Sequence, residues 1–125
     1  MKRLSIIISV LLAMMAFSSS AQAELLNISN ARLTLLRVHE VGSGFGPNVD
    51  KIDVEVVIKL AGRDGAFGFQ LRDDHNRLVR QGMLDLLRDA FNNDWLVSID
   101  FERSAPNDIV APRNGVITRV WLTKP

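Results

Sequence analysis

Residues 73–102 read DDHNRLVRQGMLDLLRDAFNNDWLVSIDFE, and a change of period inside this stretch decides the fold. Val79, Met83, Leu86, Leu87 and Ala90 recur in steps of three and four, with Leu84 and Phe91 widening the stripe. That spacing predicts an amphipathic helix over 76–91, with Arg77, Arg80, Gln81, Asp85, Arg88 and Asp89 on its wet face. Asp73 or Asp74 supplies an N-cap, because a short carboxylate accepts from the free N–H groups of a first turn. Asn92-Asn93 supplies the stop, since Asn tolerates the left-handed conformation that ends helices. Gly82 inside this pattern costs about 1 kcal/mol relative to Ala. Close approach to a sheet would account for it, and so would simple tolerance. From Trp95 the period becomes two: Trp95, Val97, Ile99 and Phe101 alternate with Leu96, Ser98, Asp100 and Glu102, which predicts a strand with one face on a core.

Working outward, residues 31–41 are rich in Leu and Val and predict a first strand, with Leu33 and Leu35 on one side and Leu36 and Val38 on the other. Residues 42–48, GSGFGPN, punctuate the chain as a loop. Ile52, Val54, Val56, Ile58 and Leu60 then alternate with Asp53, Glu55, Val57 and Lys59 in the clearest strand pattern of the chain. Gly62-Arg63-Asp64-Gly65 is a turn, and Phe67, Phe69 and Leu71 return as a third strand, making 51–72 a hairpin. Residues 104–115 are a long loop with Pro106, Pro112 and Asn114-Gly115. Val116, Thr118, Val120 and Leu122 close the chain as a last strand.

Five short strands with one helix after the third predict a mainly β, α+β domain. The arrangement suits a small five-stranded barrel like the oligonucleotide/oligosaccharide-binding (OB) fold. An open antiparallel sheet with one packed helix is the alternative. A parallel α/β sheet would need a helix between most strands, which the order denies.

The first 23 residues read differently. A basic start at Lys2-Arg3 precedes an apolar run from Leu4 to Phe17 and then Ala21-Gln22-Ala23, the pattern of a secretory signal peptide. The run is shorter than the ~20 residues that span a bilayer. The expectation is a cleaved leader over 1–23, a single domain over 24–125, no transmembrane segment after cleavage, and a periplasmic or secreted address. The chain has no Cys, so its core must hold without disulfides. Removing Lys2 and Arg3 from 15 Lys and Arg against 14 Asp and Glu turns the balance slightly acidic. No global basic field remains for nucleic acid, which is not expected as a partner.

Chemistry is thinly signposted. Two His, at 39 and 75, and no Cys give no metal-ligand spacing, so neither metal nor cofactor is expected. Asp73-Asp74 are explained by capping, and the Gly-rich loop lacks the lysine and helix of a phosphate loop. Ligand-contact candidates are Phe45 and Asn48 on that loop, Arg72 and His75 ahead of the helix, and Asn107 and Arg113 on the long loop. Loops between strands one and two and between four and five flank the ligand surface of such barrels. Phe45 is either an exposed stacking aromatic or a side chain folded over the barrel. Arg72, beside the helix start, is a candidate anion contact.

Lys51-Ile52-Asp53 before a strand ending Ile58-Lys59, the run from Met83 to Phe91 followed by Asn93 to Phe101, and Val116 to Leu122 together resemble B subunits of pentameric bacterial toxins, the subtilase-cytotoxin and typhoid-toxin group. The resemblance implies an exported, oligomerising barrel that binds glycans and delivers an enzymatic partner. The chain departs from that group in having neither Cys nor Tyr, so no binding residue is carried over. Three functions follow as expectations: an exported non-catalytic module binding glycan or protein, a homo-oligomeric delivery subunit, and a small hydrolase resting on Asp74 and His75.

Overall fold

A computed structural model describes residues 25–103 and 113–124. The expected leader and Asn107 lie outside them. The strands are β1 (Leu25–Val38), β2 (Val56–Leu60), β3 (Ala66–Phe69), β4 (Leu96–Arg103) and β5 (Gly115–Trp121). They close in the order β1-β2-β3-β5-β4, all pairs antiparallel except β3 with β5. The sheet is thus a small closed barrel of the OB type and not an open sheet. β1 starts six residues before its predicted beginning, because only Ile28 is buried among its first six residues and the apolar pattern there is faint. Its length serves closure: its first half pairs with β4 and its second with β2.

Two strands break the alternation that the sequence suggests. The β1 register slips at Thr34, so Leu33 and Leu36 both face the barrel interior while Leu35 faces outward. The β5 register slips at Thr118, so Ile117 and Val120 are the buried pair, not Val116, Thr118, Val120 and Leu122 as a set. An extra residue in one strand bends it and exchanges the two faces beyond it. Small barrels need such bends to close.

A helix, α1 (Arg77–Asn93), shuts one end of the barrel against β1, β4 and β5. Only Met83, Leu87 and Ala90 are buried. Val79, Leu86 and Phe91, predicted on the apolar face, are 65%, 37% and 47% exposed. The barrel end is narrow and accepts one ridge of the helix, not the full stripe. Gly82 is exposed and an added Cβ would meet nothing, so close approach is not its reason. The N-cap is Asn76, without a side-chain bond. Asp74 instead tightens the preceding turn: its Oδ1 accepts from Asn76 N–H at 2.9 Å and its carbonyl from Arg77 N–H at 3.1 Å. The stop is Asp94 at φ 59°, past the predicted Asn pair, with Trp95 N–H donating to Ala90 carbonyl O at 2.9 Å. Asp, like Asn, enters the left-handed region at modest cost.

The interior core gathers Ile28, Leu33, Val56, Ile58, Phe67, Phe69, Leu87, Val97, Ile99 and Phe101, among others. Phe67 and Phe101 meet edge to face at 4.8 Å between centroids. A second, smaller core of Ile52, Val54, Val57 and Ala66 lies on the outer side of the sheet, packed by Leu35, Phe45 and Val116. β2 is therefore buried on both faces, and Glu55 and Val57, predicted to face water, do not. The reason is that the chain between β1 and β2 folds back. Phe45 and Ile52 exchange backbone hydrogen bonds of 2.9 and 2.8 Å. Gly68 permits the same closeness, since a Cβ there would run into the Val56 carbonyl oxygen.

Candidate functional site

The barrel has two ends, and each carries an opening. At the end opposite α1, a cleft of about 370 Å³ is lined by Leu26, Asn27 and Ile28 of β1, residues 62–65 between β2 and β3, Phe67, Phe101, Arg103 and Arg113. Its floor is apolar and its rim carries three guanidinium groups. The Arg103 guanidinium lies over the Phe101 ring at 5.4 Å from the centroid. Its Nη1 is shut off from solvent and has no hydrogen-bond partner among the described residues.

A buried polar clamp builds this rim. Asp50 Oδ2 accepts from the N–H groups of Arg113 and Asn114 at 2.8 and 3.0 Å. The Asn114 amide donates to Asp50 carbonyl O at 2.8 Å and accepts from Ala66 N–H at 2.9 Å. Asn114 and Asp50 are 7% and 8% exposed. Four bonds thus tie the 3₁₀ turn Asn48–Asp50, the start of β3 and the approach to β5 into one block. Gly65 admits this fit, because a Cβ there would collide with the Arg113 carbonyl oxygen. Arg113 and Arg63 are thereby carried on backbones that cannot drift apart.

Beside the C-terminal end of α1, a groove of about 630 Å³ is lined by Asn30, Asp94, Trp95, Leu96, Leu122, Thr123 and Lys124. Trp95 is 51% exposed and Leu96 44%. This corrects the expectation that Trp95 shares the buried face with Val97, Ile99 and Phe101: β4 begins at Leu96, and Trp95 belongs to the helix stop. Arg32 Nε holds Asp94 Oδ1 at 3.1 Å on the groove's edge. Asn30 and Asp94 are the two non-Gly residues at positive φ among the described residues, and both line this groove. Each has a local cause: Asn30 sits in a β1 bulge with its N–H on Ser98 Oγ at 3.0 Å, and Asp94 ends α1. Strained backbone positions nevertheless cluster at binding sites.

The described residues among those singled out in the sequence do not converge. Phe45 is half-buried over the outer core, with Arg37 at 5.8 Å from its ring, so it folds back and is not a free tip. Asn48 and His75 are exposed on separate turns. Arg72 is spent on ion pairs: its Nε and Nη2 donate to Glu55 at 2.8 and 3.0 Å and Nη2 to Asp53 at 2.7 Å. Hydrogen bonds to Glu55 and then Asp53 hold its pKa above the ordinary guanidinium value. It stays charged, compensating the buried Glu55 carboxylate. Of the five candidates among the described residues, Arg113 alone lies on one of the two openings. Sequence reasoning did not single out Arg63 or Arg103, and it placed Trp95 on the core face of its strand. The signal available for Trp95 was its place directly after the Asn-Asn-Asp stop.

Among the described residues, no group of three His, Asp or Glu gathers to hold a metal ion, and no helix is long and apolar enough to cross a membrane. No protein-family model and no curated protein matches the chain.

Proposed function

We propose that this chain is an exported, non-catalytic binding module that takes a carbohydrate into the Trp95 groove. The carrying observation is an indole half open to solvent, beside Leu96 and Leu122, within a groove rimmed by Asn30, Asp94, Thr123 and Lys124. A sugar ring presents C–H faces that stack on an aromatic surface and hydroxyls that need both donors and acceptors. The rim offers an amide, a carboxylate, a hydroxyl and an ammonium. The volume is that of an ordinary small-ligand site. Exposed Trp is otherwise unfavourable, and this one is not recruited to either core. The titratable groups of the groove are Asp94 and Lys124, and Asp94 is already engaged by Arg32. That set suits holding a ligand better than proton transfer. The secretory leader pattern of residues 1–23 supports export.

The test is a glycan array followed by titration of the hit under indole fluorescence. Binding should perturb Trp emission, and Trp95→Ala should weaken affinity at least tenfold with the circular dichroism spectrum unchanged. An array blank for folded protein, or undiminished affinity in the variant, would overturn the reading.

A further inference from the structure

Independently of the Trp95 groove, we propose that the barrel mouth opposite α1 is a second binding site, specific for a small ligand bearing an oxyanion (carboxylate, sulfate or phosphate). The lining residues carry three guanidinium groups, Arg63, Arg103 and Arg113, against one carboxylate, Asp64. They come from three places in the chain, the β2–β3 turn, the end of β4 and the approach to β5. Barrel closure and the Asp50–Asn114 clamp bring them together.

Among the described residues Arg63, Arg103 and Arg113 make no ion pair, as is true also of Arg37 and Arg77 elsewhere on the surface, whereas Arg32, Arg72, Arg80, Arg88 and Arg119 each have an acidic partner. Arg103 Nη1 is withdrawn from water without an acceptor among those residues. Closed to water, Nη1 is closed to a ligand as well, but its burial leaves the guanidinium under-hydrated, so an acceptor that reaches the remaining donors displaces less water. The Phe101 ring beneath Arg103 supports a guanidinium that lines the cleft. Guanidinium forks match carboxylate, sulfate and phosphate in two-point geometry. Leu26, Ile28, Phe67 and Phe101 add apolar surface beside these charges. Asn27 contributes less: its amide is held by Asp100 Oδ1 at 3.0 Å and Ile99 carbonyl O at 3.3 Å. Asp64 sets the sign of selectivity on its side of the rim, favouring a hydroxyl donor over a second negative charge.

The experiment is calorimetric titration of the full chain with inorganic sulfate, inorganic phosphate and the pair glucuronate and glucose, which differ at a single carbon. Glucuronate and at least one inorganic anion should bind, glucose should not, and affinity should fall as sodium chloride rises. Arg103→Gln should cost about tenfold or more in affinity, the usual size of a hydrogen bond to a charged group. Arg63→Gln, on an exposed turn where folding is not at stake, should weaken binding in the same direction. Trp95→Ala should leave oxyanion affinity unchanged, which separates this site from the carbohydrate groove. Glucose binding as well as glucuronate, or anion binding that survives both Arg variants, would overturn the proposal.

Discussion

The two ends of the barrel are built on opposite principles. One is closed by a helix whose Met83, Leu87 and Ala90 enter the interior core, and its stability is a matter of apolar area. The other is left open and held in shape by four hydrogen bonds around Asp50 and Asn114. Apolar closure is tolerant of geometry and fixes few polar groups in place. A polar clamp is directional, and it sets backbone positions from which charged side chains can be displayed. The openings differ accordingly: the mouth is cationic, and the groove beside the helix terminus is aromatic.

Breaking the helical end should have the largest effect. Leu87 is wholly buried. Leu87→Ala removes its transfer free energy and leaves a cavity, which should cost about 2–5 kcal/mol in urea unfolding. Because the mouth is held by its own bonds, the variant should still bind the oxyanion below its unfolding midpoint. Loss of anion binding in the folded variant would mean that the two ends are one cooperative unit.

Asn114→Ala is the matching cut at the polar end. It orphans the Ala66 N–H and one lone pair of the Asp50 carbonyl, both buried with Asn114. The expected loss is about 1–3 kcal/mol, the price of an unsatisfied buried polar group. Oxyanion affinity should fall with it while Trp95 fluorescence titrations are unaffected. Equal loss at both sites would erase the distinction between the ends.

What could be read beforehand follows the same division. The helix and strand periods report apolar burial, and they gave the element order from which a closed barrel was expected. Where two faces of one strand are both buried, the period carries less. Glu55 and Val57 looked wet because nothing in the 42–54 segment announced that it would fold back over β2. Thr34 and Thr118 looked like ordinary strand positions, yet each exchanges the faces of its strand. The mouth was harder still. Arg63, Arg103 and Arg113 are far apart in the chain or split by a loop, and an Arg on a polar face has the same local pattern whether it meets a ligand or water. Arg113 was legible as a loop contact and Asn114-Gly115 as a turn, but the use of Asn114 as a clamp depends on Asp50, 64 residues away.

The smallest expected effect sharpens the helical end. Gly82 lies in the middle of α1, at ordinary helical φ, with open space where a Cβ would stand. In such a position glycine only enlarges the freedom of the unfolded chain, so Gly82→Ala should stabilise by about 0.5–1 kcal/mol. The urea midpoint should rise with the slope unchanged. The flanking Leu78 and Val79 are 87% and 65% exposed, so the surface around Gly82 is apolar as well as bare. If alanine stabilises, that surface is free in solution and the helix serves only as a plug. If alanine destabilises, and does so more as protein concentration rises, then Gly82 lies against another copy of the chain. The helical end would then be an interface as well as a closure, and the mouth would be unaffected.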